Sequence, residues 1–194
     1  MRVFDDMAAL PVFRRPVVTV GSFDGVHRGH RFLLDILRRR AADCGGESVV
    51  VTFGDHPRRV LDTGADLRVL TPTAEKAELL SAAGVDNLVV MPFDESVARL
   101  SAGEFVRDFL VARLGVHELV VGYNHRLGCG REGDAEVLSG LGERYGFRVF
   151  RAPKFEPGCD RSGDHDERIS STAIRNAISR GDTATAERML GRKL

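Results

Sequence analysis

The sequence predicts an α/β domain built on a parallel β-sheet with helices on both faces. Short apolar runs rich in β-branched residues alternate with longer segments in which apolar residues recur at helical spacing, as in successive βαβ units. The apolar runs are nearly continuous, which is typical of strands buried on both faces of a parallel sheet. A chain of 194 residues that is 43% hydrophobic is long enough for one such domain with a sizeable core.

Each element is predicted from its own run of residues and from the signals at its ends. Cap and stop residues bound the helices, such as Thr71-Pro72 at one start and Gly84 at the corresponding end. Ser101-x-x-Glu104 is a capping box that opens a further helix. Five strands are predicted over residues 16–23, 48–53, 87–91, 118–122 and 148–152, and helices over 31–42, 71–84, 101–115 and 134–145.

The pattern changes after residue 152, where a long polar loop replaces the strand–helix alternation. Two short helices then close the chain, over 171–179 and 182–190, and Gly191 ends the second. We therefore expect residues 1–194 to form a single domain whose helical appendage begins near residue 168.

Composition narrows the classes of partner. Formal net charge is zero, so no global field draws the chain to nucleic acid or to an anionic membrane. The three cysteines are widely spaced and form no C-x-x-C pair, which fits a reducing cytosol. The N-terminus does not resemble a secretory signal, and no apolar run approaches ~18 residues. The chain is expected to be a soluble cytoplasmic protein without a nucleic-acid or membrane partner.

The segment between the first predicted strand and the first helix contains the main candidate site. Gly21 and Gly25 permit tight turns, and Gly29 leaves space for a phosphate at the start of the helix, where backbone amides favour an anion. His27 and His30 could donate hydrogen bonds to phosphate and can be charged near neutral pH. Two other interpretations are a glycine-rich turn with incidental histidines, and a transition-metal site that includes these two imidazoles.

Two further loops follow strands at the same predicted edge of the sheet. His56-Pro57 ends the second strand with an imidazole, and the segment after the fourth strand contains Asn124 among glycines that let it fold over a ligand. Asn124 could bridge a phosphate oxygen or a metal-bound water. An ordinary polar loop explains each of these segments equally well.

Hydroxyl side chains and arginines surround the start of the helix at residue 171. Ser170, Ser171 and Thr172 can cap free amides or bind an anion, and Arg168 and Arg175 add positive charge. Taken alone, this segment could be an ordinary helix cap.

These motifs carry a resemblance to a known family. His27-x-Gly29-His30 resembles the signature of the nucleotidyltransferase superfamily, and the string from Gly21 to His30 resembles the FAD synthetase module of bacterial riboflavin biosynthesis proteins. The segment from Arg168 to Arg175 is similar to that family's Arg-x-Ser-Ser-Thr-x-Ile-Arg motif. The resemblance implies a Rossmann-like fold and transfer of AMP from ATP to FMN, which yields FAD and pyrophosphate.

The resemblance also implies roles for individual residues. Mg²⁺ is expected with ATP, and a riboflavin kinase module that usually follows in the family is absent from these 194 residues. An aromatic residue often stands at the position of His125 or Leu127 in the family, and here neither is one. The implied catalytic residues are His27, His30, Asn124, Arg168 and Ser171; the ATP- and phosphate-binding residues are Gly21, Phe23, Asp24, Gly25, Gly29, Ser170, Thr172 and Arg175; the flavin-binding residues are His56, Pro57, Tyr123, His125, Arg126 and Leu127; and the candidate magnesium ligand is Asn124.

Other functions remain open at this point. A related nucleotidyltransferase could use another phosphorylated acceptor, such as phosphopantetheine or a phosphorylated polyol, and a non-catalytic flavin- or nucleotide-binding module is the further alternative. The segment from Glu75 to Leu80 also resembles the corresponding segment of the family. Its residue types are typical of a solvated helix face, and we therefore assign it a structural role.

Overall fold

The computed structural model describes residues 1–54, 68–156 and 169–194, and its centre is a six-stranded sheet. All paired strands run parallel, in the order β1-β4-β3-β2-β5-β6, which confirms the predicted fold class. The strands are β1 (Arg2–Phe4), β2 (Val17–Val20), β3 (Ser48–Phe53), β4 (Asn87–Met91), β5 (Glu118–Val121) and β6 (Arg148–Arg151).

The five predicted strands are confirmed, and β1 is an additional one that the sequence did not reveal. It has three residues at the edge of the sheet, where Arg2 pairs with Asn87, and so short a run carries no periodic signal. The first predicted strand was too long at its carboxyl end, because the backbone leaves the sheet after Val20.

The predicted helices occur in the predicted order, and a short helix over Glu95–Ala98 is an additional one that was not predicted. One difference lies after the capping box at Ser101, where the predicted continuous helix is a short α-helix that passes into a π-helix over Val106–Val111. Gly146 and Gly191 end their helices in the left-handed conformation, as predicted. The α-helices are α1 (Arg28–Asp43), α2 (Thr73–Ala82), α3 (Glu95–Ala98), α4 (Ala102–Phe105), α5 (Ala135–Tyr145), α6 (Ser171–Ser179) and α7 (Thr183–Leu190).

Two apolar clusters cover the two faces of the sheet. One joins α1 and α2 to the sheet through residues such as Leu34 and Leu80, and the other joins α4, the π-helix and α5 through residues such as Phe105 and Leu138. A third, smaller cluster joins α6 to α7, which form the predicted helical appendage. None of the helices in the described part of the chain is both long and apolar enough to cross a membrane.

The strand order reverses between β2 and β5. The chain proceeds from β2 outward to β3 and β4, and then crosses to the other side of β2 to form β5 and β6. The loops that follow β2 and β5 therefore lie side by side at the carboxyl edge of the sheet, where α/β proteins bind ligands.

Candidate phosphate-binding site

The loop between β2 and α1 is buried and conformationally strained. Phe23 and Val26 have φ angles of 47° and 37°, in the left-handed region that side chains other than glycine rarely adopt. Both side chains are buried in the core. Such a conformation costs about 1–3 kcal/mol per residue and persists only where the surroundings fix it. The structure therefore holds this loop, hereafter the β2–α1 loop (residues 21–27), in one specific shape.

Asp24 is the main contact through which the surroundings fix the β2–α1 loop. One carboxylate oxygen accepts hydrogen bonds from the backbone N–H groups of Leu70 and Thr71, at 2.9 and 3.0 Å. The other oxygen forms an ion pair with the guanidinium of Arg175, and the backbone carbonyl accepts a hydrogen bond from Ser171 Oγ at 2.8 Å. Asp24 is fully buried, and both of its carboxylate oxygens have protein partners.

Gly25 is fixed from two sides as well. Its N–H donates to Thr71 Oγ1 at 2.9 Å, and its carbonyl accepts from Arg192 Nη1 at 2.6 Å. Its φ of 87° requires glycine, and an added Cβ would lie 3.0 Å from Leu70 Cδ1. The appendage and the segment before α2 thus hold the loop together.

His27 is the N-cap of α1. Its Nδ1 accepts a hydrogen bond from the backbone N–H of His30 at 3.2 Å, which satisfies one of the free amides at the helix start. An accepting Nδ1 carries no proton, so the neutral ring has its proton on Nε2. His27 therefore keeps one N–H donor for another partner.

His30 stacks on His27. Their ring centroids are 3.6 Å apart and their planes differ by 12°, and Phe23 packs against His30 with a centroid distance of 5.0 Å. Burial lowers the pKa of His27 to about 4 and that of His30 well below its usual value. His27 and Lys76 lower the pKa of His30 further by charge repulsion. These shifts favour the neutral form of both imidazoles at neutral pH, and a charged pair would require a nearby anion that raises the two pKa values.

Two of the glycines make room for the loop's own rings. An added Cβ on Gly29 would lie 3.3 Å from the His27 ring, and one on Gly21 would lie 3.1 Å from the Phe23 ring. Both distances are tighter than ordinary contacts. These glycines allow the aromatic packing that orients the histidines, and a direct approach of phosphate to them stays a prediction.

The N-terminus of α6 adjoins the β2–α1 loop, as the sequence motif predicts. Ser170 caps the helix, because its Oγ accepts from the N–H of Ala173 at 3.2 Å. Arg175 donates to the carbonyl of Arg68 at 2.8 Å in addition to its ion pair with Asp24. Thr172 is exposed. Ser170, Ser171 and Arg175 thus have protein partners here, and their contact with phosphate stays a prediction. Arg168, His56 and Pro57 lie outside the described residues.

The loop that follows β5, hereafter the β5 loop (residues 122–128), is largely open to solvent. Tyr123 and Asn124 are exposed, and the guanidinium of Arg151 lies over the Tyr123 ring at 4.6 Å and donates to the Tyr123 carbonyl. Arg126 is exposed and pairs with Asp134 at 2.9 Å. Asn124 makes no hydrogen bond within the described residues that would fix its amide.

Two side chains of the β5 loop point inward. The Nε2 of His125 is buried without a hydrogen-bond partner in the described part of the chain, and burial lowers the pKa of this histidine to about 4. Leu127 is buried in the core, and its backbone pairs with Gly133 at 2.9 Å. Leu127, one of the two positions at which the family often has an aromatic residue, thus contributes to the core, and contact of His125 or Leu127 with flavin stays a prediction.

Lys76 is a buried basic residue next to this site, which the sequence did not indicate. It was assigned to a solvated face of α2, but it is only 6% exposed and its Nζ donates to Thr52 Oγ1 at 3.3 Å. Burial lowers its pKa, and the nearby Asp24 carboxylate opposes that shift. One signal was available in the composition, because Lys76 is one of only three lysines among 28 basic residues.

Comparisons with known proteins identify the family of this chain. The family model described as FAD synthetase matches residues 11–173. A bifunctional riboflavin kinase/FMN adenylyltransferase of Pseudomonas fluorescens is 40% identical over 183 residues, which cover 94% of this chain and 56% of the relative. The protein of the same name from Escherichia coli K12 is 39% identical over 175 residues, covering 90% and 54%. The chain thus spans about half the length of these curated relatives.

Solved structures support the same fold. A crystal structure described as a macrolide-efflux protein from Streptococcus pneumoniae superposes with a TM-score of 0.81 at 27% identity, over 98% of this chain and 61% of that one. A pantoate–β-alanine ligase from Francisella tularensis gives a TM-score of 0.50 at 14% identity, over 97% and 86%. The second likeness concerns the fold alone.

Proposed function

This chain belongs to the FAD synthetase family, and from that premise we propose that it transfers AMP from ATP to the phosphate of FMN. The products are FAD and pyrophosphate. The observation that carries the proposal is the stacked pair His27 and His30 at the start of α1, held at the point where the strand order reverses. Helix amides and a fixed Nε2–H of His27 together offer hydrogen-bond donors to a polyphosphate.

The reaction requires no covalent intermediate on the protein. A phosphate oxygen of FMN attacks the α-phosphorus of ATP, a new P–O bond forms, and the bond between the α-phosphorus and the bridging oxygen breaks in line. Pyrophosphate leaves with the electron pair of that bond. The protein contributes position and hydrogen bonds to the developing charge, which are the main sources of catalysis in phosphoryl and nucleotidyl transfer.

Neutral imidazoles suit this task in the free site. His27 and His30 have low pKa values, so they bind phosphate as hydrogen-bond donors first and gain charge only as the anion raises their pKa. The N-terminus of α6 also supports the proposal, because its residues Ser170, Ser171 and Arg175 adjoin the β2–α1 loop. Thr172 is exposed at the same helix start. Gly21, Phe23, Asp24, Gly25 and Gly29 act through the shape of the β2–α1 loop, and Arg168 is proposed as a further phosphate ligand.

Magnesium is part of the proposal as a companion of ATP. The described residues contain no group of three or more histidine, cysteine or acidic side chains that could hold a metal ion. Mg²⁺ keeps several waters and is held largely by substrate phosphates, so the proposed ion needs few ligands from the protein. Asn124 would supply one amide oxygen, and the ion would neutralise phosphate charge.

The flavin is proposed to lie toward the β3 and β5 ends of the site. His56, Pro57, Tyr123, His125, Arg126 and Leu127 are the proposed flavin-side residues, on the strength of the family motifs. The Tyr123 ring is exposed and the Arg151 guanidinium lies over it, so together they offer stacking groups for a conjugated ring system.

The relatives are named as bifunctional proteins with a riboflavin kinase activity. We propose that these 194 residues form one domain that transfers AMP and do not themselves phosphorylate riboflavin. A cytoplasmic location is part of the proposal, and it is supported by the free thiols of Cys44 and Cys129.

Chromatographic detection of FAD from FMN and MgATP tests the proposal. We expect FAD and pyrophosphate in equal amounts, and no FMN when riboflavin replaces FMN. Adenylylation of phosphopantetheine or of a phosphorylated polyol instead of FMN would indicate another member of the superfamily. Binding of FAD without turnover of FMN would indicate a non-catalytic module, and either result would overturn the proposal.

A further inference from the structure

The buried charges beneath the β2–α1 loop do not balance. Asp24 is the acidic group at this position, and both Arg175 and Lys76 act on it. The Arg175 guanidinium is already committed to the Asp24 carboxylate and to the carbonyl of Arg68. His27 and His30 are neutral in the free protein because their pKa values are low. The described residues thus leave one positive charge without a matching carboxylate.

Lys76 carries that unmatched charge. Its ammonium has three N–H donors, and one of them has a partner within the described residues, Thr52 Oγ1 at 3.3 Å. The Thr52 hydroxyl donates its own hydrogen to the carbonyl of Ser22 at 3.1 Å, which places the ammonium beside the ends of β2 and β3. Lys76 also lies close enough to His30 to lower the pKa of that imidazole.

A buried ammonium with so few partners is costly to keep, and an apolar side chain of similar length would cost less. Its burial at the carboxyl edge of the sheet, next to the histidine pair, distinguishes Lys76 from the exposed basic residues of the surface. A phosphate group bound against His27 and His30 would supply the missing negative charge. Such residues typically trade stability for function.

We propose that Lys76 is a phosphate-binding residue of this site, whose ammonium attracts the substrate polyphosphate to His27 and His30. The identification of that anion with ATP rests on the proposed function. The assignment of Lys76 as a buried positive charge that binds an anion rests on the burial and contacts given above. It can be tested by binding measurements that require no turnover.

The test is calorimetric binding of magnesium pyrophosphate and of MgATP at pH 7.5, together with thermal unfolding. Lys76→Met removes the charge and keeps the length of the side chain. We expect Kd for both probes to rise about ten- to hundred-fold, as for loss of a hydrogen bond to a charged group. We expect Tm to stay the same or to rise, because an unmatched buried charge is removed.

Two further variants make the result specific. Lys76→Arg keeps the charge and should retain more affinity than Lys76→Met. Arg113→Met removes one positive charge from an exposed side chain that precedes β5, at the opposite edge of the sheet, and should change Kd less than twofold.

Three results would overturn the assignment. They are an unchanged Kd in Lys76→Met, a fall in Tm or loss of folding in that variant, and absence of pyrophosphate binding by the original chain. The FAD assay on the original chain judges the proposed function separately. Failure to form FAD would leave the pyrophosphate result for Lys76 intact, and formation of FAD with unchanged pyrophosphate binding in Lys76→Met would reject Lys76 alone.

Discussion

The β2–α1 loop and the β5 loop lie side by side, yet they are built in opposite ways. The first is buried, contains two strained non-glycine residues, and is held by Asp24 through contacts from two other segments. The second exposes Tyr123 and Asn124, and its ion pair between Arg126 and Asp134 is open to solvent.

Under the proposed function, this difference predicts that the phosphate side of the site is formed before substrate binds, whereas the flavin side is completed by the substrate. Preorganised donors contribute most where charge develops during a reaction. A loop that only recognises a ring system can remain adaptable, at the cost of ordering it on binding. The following predictions compare the two loops directly.

The largest expected effect follows from loss of the Asp24 carboxylate. Asp24→Asn keeps the shape of the side chain but leaves the guanidinium of Arg175 buried without a charge partner. We expect the free energy of unfolding to fall by about 3–5 kcal/mol, the usual cost of breaking a buried ion pair. Urea denaturation measures this change.

Asp134→Asn is the matched control for the β5 loop, because Asp134 is the ion-pair partner of Arg126 in that loop. It removes the exposed pair with Arg126 and keeps an N-cap at α5, since Asn caps as well as Asp. We expect a loss of at most about 1 kcal/mol. Equal losses in the two variants would contradict the contrast between the loops.

The next effect concerns turnover. His27→Asn retains an N-cap for α1 but removes the Nε2–H donor. We expect kcat/KM for FAD formation to fall by about 10²–10³, as for loss of one preorganised donor. Adding His30→Ala should abolish turnover. His117→Asn, just before β5 at the opposite edge of the sheet, should change kcat/KM less than twofold, and steady-state kinetics with folded variants checks both results.

The stability of the protein should fall with acid. The pKa of His27 is about 4 in the folded protein against an unperturbed 6.5, so between these pH values the unfolded chain binds more protons. Above about pH 6.5, His27 is neutral in both states and does not reduce the free energy of unfolding. Toward pH 4, protonation of His27 in the unfolded chain should lower that free energy by about 3 kcal/mol. Urea titrations of the original chain and of His27→Asn at several pH values measure this contribution.

His125 provides the comparison in the β5 loop. Burial lowers its pKa to about 4 as well, so His125→Asn should reduce the acid dependence by a similar amount. A saturating ATP concentration should raise the pKa of His27 but not that of His125. An equal response of the two residues to ATP would remove the proposed distinction.

The smallest effects are expected in the exposed part of the β5 loop. Tyr123→Ala and Asn124→Ala should leave the free energy of unfolding within about 0.5 kcal/mol, as for surface substitutions. We expect KM for FMN to rise up to about tenfold in Tyr123→Ala with little change in KM for ATP, consistent with loss of one aromatic contact. A larger rise in KM for ATP than in KM for FMN would indicate that the β5 loop binds ATP, which contradicts the proposed arrangement.

Much of the fold could be predicted because it depends on local signals. The buried strands are continuous apolar runs. Gly146 and Gly191 end helices in the left-handed conformation, which glycine adopts more readily than other residues. The edge strand at Arg2–Phe4 was missed because three residues show no period, and the π-helix was missed because its hydrophobic spacing resembles that of an α-helix.

The candidate site likewise has features that local sequence indicates and features that depend on packing. The sequence predicted that His27 and His30 lie at the start of the first long helix, but the charge state of the histidines depends on burial, which only packing reveals. The ion pair between Asp24 and Arg175 joins residues far apart in the chain, so neither residue's local sequence could indicate it. Lys76 appeared to belong to a solvated face because its helix neighbours Glu75 and Glu78 are charged and exposed.

The central claim is that the β2–α1 loop presents His27 as a neutral donor with its proton on Nε2, ready for a polyphosphate. Nitrogen NMR of histidine side chains at pH 7, with and without a non-hydrolysable ATP analogue and Mg²⁺, tests it most directly. We predict a neutral His27 protonated on Nε2 in the free protein, and a shift of that nitrogen on addition of the analogue. A charged His27 in the free protein, or an Nε2 resonance that the analogue does not move, would contradict the account.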